Sequence, residues 1–239
     1  MGFLRGPDIV TTKLLLALDA ASPRSYPGSG TTWNNLISKD DDATLSGGGI
    51  TFNSSEPTNL ETDGDSSEIF IPGGDSSNLN FSNTDAFSIE SWCNLQEMPS
   101  SGNTTAVVCK AFKVGIDIFF PTVSTMVFRC GVRNSEQSIV SQDGSFVSLN
   151  EWNHVIFTYT PSSETGVKLY INGTLNATTG NSGQDDFSNN TNYSIGGNEA
   201  VAGTARFSNL QTAVVRMYGQ ELSASQVLQN YDALKNRFV

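Results

Sequence analysis

Five residues carry side chains that a carbohydrate site would use: Trp92, Arg129, His154, Lys168 and Tyr170. Along a strand, successive side chains point to opposite faces of the sheet. In 87–95 this sets Phe87, Ile89, Ser91, Cys93 and Leu95 on one face and Ser88, Glu90, Trp92 and Asn94 on the other. The same alternation predicts a sheet face that carries all five candidates, opposite the core-facing residues. An aromatic plate flanked by hydrogen-bonding groups is what sugar recognition needs, so glycan binding is expected there. The competing expectation is that loops cover this face and Trp92 packs beneath them.

Other chemistries find less support. Glycoside hydrolysis requires two carboxylates flanking the bond, about 5–5.5 Å apart in retaining enzymes. Glu61, Asp63 and Asp65 have alternate spacing, but they fall in a Gly-containing turn and no further Glu completes the set. Glu90 stands alone, because its same-face neighbours are Ser88, Trp92 and Asn94. His154 is the only histidine, so any triad would have to use it, and no nucleophile elbow accompanies it. It reads as a strand-start residue with a structural hydrogen bond. No enzyme is therefore expected. Asp40, Asp41, Asp42, Asp63, Asp65 and Asp75 offer oxygens of the kind that hold Ca²⁺ at a loop rim. Loop aspartates also cap turns, and no ligand pattern singles out a site, so no metal or other cofactor is assigned.

The elements that would position these residues are mostly strands. Short β-branched and aromatic runs, separated by Gly, Pro, Asn and Ser, recur from Leu14 to Tyr218. Val167, Leu169 and Ile171 alternate with Lys168 and Tyr170 before Asn172-Gly173, a pair suited to a two-residue type I′ turn. One helix is expected, at the C-terminus. Ser223 and Gln226 form a capping box, Leu222 can staple to Val227, and Val227, Leu228, Tyr231 and Leu234 make an apolar stripe. Residues 13–239 read as one domain, preceded by an arm, 1–12, whose Arg5, Pro7, Ile9 and Val10 are available to dock on a neighbour.

Composition agrees with an all-β protein. The 239 residues include 22 Gly, are 37% hydrophobic and only 15% charged. A net charge of −11 argues against nucleic acid, whose phosphates need a basic face. No apolar run approaches the roughly 18 residues of a spanning helix, so no membrane partner is expected. The first residues lack an apolar signal-peptide core, and the three cysteines, Cys93, Cys109 and Cys130, match no zinc spacing. Synthesis in a reducing cytoplasm, with three buried free thiols, is expected.

The wording of the strands adds a resemblance. Leu16-Ala-Leu-Asp-Ala20, Phe87-Ser-Ile-Glu-Ser-Trp92, Val107-Val-Cys-Lys110, Trp152-Asn-His-Val155, Lys168-Leu-Tyr-Ile-Asn-Gly173 and Ser194-Ile-Gly-Gly197 follow one another in order. Together they resemble the laminin-G-like members of the concanavalin-A-like lectin/glucanase superfamily. The resemblance implies an antiparallel two-sheet jelly-roll sandwich with one short C-terminal α-helix. Enzymes of that superfamily carry Glu-x-Asp-x-(x)-Glu on one strand, and no such strand is present here. The charged turn Ser38-Lys-Asp-Asp-Asp-Ala43 departs from the family's Gly- and Asn-rich turn. The ending, Val215-Arg-Met-Tyr218 with Leu222-Ser-Ala-Ser-Gln226, and the opening Ser25-Tyr-Pro-Gly-Ser-Gly-Thr-Thr-Trp33 are similar to virion proteins of tailed phages of marine bacteria and cyanobacteria. This implies a structural protein on the particle surface, as capsid decoration or fibre component, in many copies or as a homo-oligomer. It would contact other virion proteins through the N-terminal arm and hold host or environmental glycans. A glycan-binding adhesin with no structural role is the alternative.

Overall fold

The computed structural model describes residues 7–97, 104–110, 114–122, 125–132, 140–181, 186–197 and 207–239. Alternating strands need two buried faces, and they obtain them by packing two antiparallel sheets together. In chain order the strands are β1 (Leu14–Asp19), β2 (Thr32–Trp33), β3 (Ala43–Ser46), β4 (Thr51–Asn53), β5 (Asn59–Glu61), β6 (Glu68–Ile71), β7 (Phe87–Leu95) and β8 (Thr104–Lys110). Then follow β9 (Val114–Thr122), β10 (Thr125–Val132), β11 (Val140–Phe146), β12 (Asn153–Tyr159), β13 (Val167–Ile171), β14 (Thr174–Thr179), β15 (Tyr193–Ile195) and β16 (Leu210–Tyr218). The first sheet runs β14-β13-β12-β7-β16-β5-β4, with β1 also paired to β16. The second runs β11-β10-β9-β8-β15-β6-β3-β2. This is the all-β jelly-roll sandwich that the strand pattern and the resemblance implied.

The main core lies between the sheets. Phe87, Ile89, Cys93 and Leu95 of β7 meet Ile116, Ile118, Phe128 and Cys130 of the opposite sheet there. Phe87 organises one end of it, stacked on Phe81 at 4.5 Å and edge-on to Phe157 at 5.4 Å. The three cysteines are buried and free.

The hairpin and helix also form as the residues dictate. Asn172 and Gly173 both take positive φ, 49° and 80°, between β13 and β14. Gly173 has a second reason to be glycine: a Cβ there would lie 3.0 Å from the Tyr231 ring. Ser223 caps α1 (Ala224–Leu234) with both bonds of the capping box. Leu222 and Val227 are buried, and Tyr231 and Leu234 pack on the first sheet. Leu228, counted in the predicted stripe, is 47% exposed at its margin. The buried place on that face belongs to Asn230 instead.

Three strands, β3, β5 and β11, carry no clear sequence signal. β3 and β5 are four and three residues long, too short to show alternation. The arm also differs from expectation. Residues 7–12 lie against the chain itself: the Val10 N–H donates to Asn230 Oδ1 at 2.8 Å, and Gln229 donates to the Asp8 carbonyl. Val10 and Ile9 join Tyr170, Leu222 and Val227 in an apolar cluster. The rest of the arm, 1–6, falls outside the described residues.

Candidate functional site

The predicted glycan face is built, but it is closed. Trp92, His154, Lys168 and Tyr170 do lie on the outer side of the first sheet, where His154 is paired with Trp92 across β12 and β7. That side is covered by α1, the C-terminal residues and residues 7–12. Trp92 is 0% exposed, sandwiched by Phe238 at 4.1 Å and next to Tyr231 at 5.7 Å. His154 is likewise fully buried and Tyr170 is 4% exposed. Lys168 makes an ion pair with Glu221. Arg129 belongs to the other sheet, where it grips Asp117 through two 2.7 Å bonds and lies over Phe119. The five residues therefore share no exposed face, and no sugar ring can reach Trp92. Alternation assigned each side chain a direction, but it could not show which sheet Arg129 joins or what lies above Trp92.

Beneath the helix sits a buried polar cluster centred on Glu90. Its Oε1 accepts from Arg216 Nη1 at 2.6 Å and faces His154 Nε2 at 3.1 Å. Its Oε2 accepts from Asn230 Nδ2 at 2.7 Å and from the Tyr218 hydroxyl at 3.3 Å. Burial alone would raise the Glu90 carboxyl. Arg216, His154 and Asn230 outweigh it and bring it down to about 2. The same carboxylate holds Arg216 in its charged form. This is an internal ion pair sealed from substrate, in which the carboxylate is fully engaged and the buried His154 Nδ1 is left without a partner. It explains why His154 is present without any nucleophile beside it.

Of the aspartates named as Ca²⁺ candidates, Asp63 organises a turn, and Asp41 and Asp42 tie neighbouring segments together. Asp63 Oδ1 accepts from the backbone N–H groups of Asp65, Ser66 and Ser67 and from the Ser67 hydroxyl. Its burial works against ionisation, but these donors hold it well below the usual carboxylate range. Asp41 accepts from Ser77, and Asp42 from the Asn35 N–H. Among the described residues no three His, Cys, Asp or Glu side chains converge as a metal site would require.

The open part of the first sheet lies beyond the helix, at the β4 edge. Leu60, Leu95 and Leu210 point into the core, so their strand neighbours Glu61, Asn94 and Gln211 point outward. Register then lines up Asn94, Gln211, Glu61 and Thr51 across four strands. A cleft of about 490 Å³ opens here, lined by Asn53, Asn59, Glu61 and Gln211, with Trp152 and the loop containing Glu56 also at its wall. Trp152 is held by Phe238, whose ring lies 5.0 Å away. Glu61 gathers the amides: Asn53 Nδ2 donates to Oε2 at 2.7 Å and Gln211 Nε2 at 2.9 Å. The Asn209 amide, turned as its surroundings require, donates to Oε1 at 2.9 Å. Behind them Asn94 bonds to Gln211, leaving its own buried Oδ1 without a partner. An indole wall beside fixed amides and a carboxylate can stack a sugar ring and accept its hydroxyls. Sequence reasoning missed this site because 53–59 reads as a polar loop and Trp152 only as a strand start.

The family model described as the concanavalin A-like lectin/glucanases superfamily matches residues 63–228. The chain belongs to this superfamily. No curated protein matches the sequence. Among solved structures, Trypanosoma rangeli sialidase in complex with sialic acid superposes with a TM-score of 0.68 at 14% identity, over 98% of this chain and 35% of that one. The binding domain of Paraclostridial Mosquitocidal Protein 1 gives 0.68 at 17% identity, over 94% of this chain and 53% of that one. Domain 4 of AbnA, a GH43 extracellular arabinanase from Geobacillus stearothermophilus, in complex with arabinotriose, gives 0.61 at 18% identity, over 92% and 98%. The lectin-like jelly roll thus spans about a third of the sialidase and about half of the mosquitocidal binding domain. Likeness at these identities concerns the fold, and a sialidase or arabinanase among the neighbours does not make this chain a hydrolase.

Proposed function

We propose that this lectin-like jelly roll is a non-catalytic, glycan-holding domain on the outer surface of a tailed-phage particle, as capsid decoration or fibre component. The observation that carries the glycan part is the open cleft at the β4 edge, where Trp152 stands beside fixed amide and carboxylate groups. Two of the solved neighbours are complexes with sialic acid and arabinotriose, which supports carbohydrate as the ligand class to test first. The phage setting draws on the resemblance of the opening and closing segments to virion proteins. Attachment to neighbouring virion proteins in many copies is part of the same reading.

Hydrolysis is not expected. Glu61 is tied to three amides, and Glu56 stands on an exposed loop bonded to Thr58. A reducing-sugar assay on glycans that bind should stay at background. Glycan-array screening tests the ligand class: binding that disappears in Trp152→Ala supports the cleft, and a blank array with folded protein refutes it. Virion proteomics and a particle reconstruction test the setting. A chain absent from particles would leave the adhesin alternative.

A further inference from the structure

We infer that the cleft selects neutral glycans and rejects acidic ones, an inference that rests on the glycan-holding reading above. Its charge is one-sided. Among the described residues the lining includes two carboxylates, Glu56 and Glu61, and no Lys, Arg or His. Its amide donors are partly consumed within the site. Both N–H groups of Asn53 are taken up, one by Asn59 Oδ1 at 3.0 Å and one by Glu61 at 2.7 Å. Gln211 turns its amide N–H toward the same carboxylate. Asn59 donates to the Pro57 carbonyl. Glu61 thus draws the amide donors of Asn53 and Gln211 inward, so the donors left to a ligand on the lining side chains are uncharged, such as the hydroxyls of Ser54 and Ser55 and the Trp152 indole.

A hydroxyl can donate to such a surface, and a pyranose or furanose presents several. A carboxylate or sulfate cannot donate. It would also sit beside Glu56 and Glu61 with no cation among the described lining residues to offset the repulsion, in a protein whose net charge is −11. Discrimination here arises from what the site repels, not only from what it attracts.

Paired probes test it: lactose against sialyl-lactose, and a neutral galactan against its sulfated form, on arrays and by titration. The neutral member of any bound pair should bind at least about tenfold more tightly, a gap that shrinks in high salt because the repulsion is electrostatic. Glu56→Gln, on an exposed loop where folding is not at stake, should narrow the gap, and Glu56→Gln with Glu61→Gln should narrow it further. Acidic members binding as well as neutral ones would overturn the inference and leave the glycan reading standing. An unchanged gap in Glu56→Gln would also count against it. No binding to any member would remove both.

Discussion

At the residue scale, the two outward tryptophans have opposite tasks. Trp92 is sealed between β7 and Phe238, whereas Trp152 borders the open cleft. Trp92→Ala should therefore cost about 3–5 kcal/mol of stability, read by urea unfolding, because it empties a closed site. Trp152→Ala, which loses a partly buried ring in contact with Phe238, should cost less stability than Trp92→Ala and remove ligand. Glu90 gives a pH signature. Its folded pKa is depressed from 4.5 to about 2, so its contribution is fully present above 4.5 and lost as pH falls toward about 2. Stability measured across that window should fall in the wild type and fall less steeply in Glu90→Gln. That variant should itself be less stable at neutral pH by about 3–5 kcal/mol, since Arg216 loses its buried partner. The thiols offer a simple check: burial pushes Cys93 up to about 12, so alkylation of the native protein should be slow and that of the unfolded chain fast.

At the element scale, the C-terminal helix was legible and its seat was not. Ser223, Gln226, Leu222 and Val227 specify the start of α1 from local chemistry, and the structure contains that cap. Where the helix docks depends on Asn230, a polar residue in the stripe, which joins Glu90, Tyr218 and the Val10 N–H. Asn230→Ala leaves several buried groups short of a partner and should cost about 3 kcal/mol, against about 1 kcal/mol for Ser223→Ala. Urea midpoints of the two variants check the order. The same docking covers the face on which Trp92, His154 and Tyr170 had been expected to meet a glycan. Alternation tells which way a side chain points from its own sheet; it carries no information on a later segment that returns to cover it. β5 escaped notice for the opposite reason. Three residues, Asn59–Glu61, have too little sequence to show a period, yet they bring Glu61 and Asn59 to the cleft.

At the scale of the whole molecule, the all-β class was readable because long strands such as β7 and β12 alternate throughout, and the two-sheet sandwich and superfamily through the ordered motifs; the strand order within each sheet was not. The cleft was not readable, because it is assembled from a two-strand edge, the start of β16 and a residue before β12, segments far apart in sequence. The most direct measurement is a calorimetric titration of the best neutral oligosaccharide from the array into the wild type, Trp152→Ala and Trp92→Ala, each below its unfolding temperature. Saturable binding is expected for the wild type and for folded Trp92→Ala, with loss of at least about tenfold in affinity for Trp152→Ala. Undiminished binding by Trp152→Ala would contradict the cleft as the glycan site.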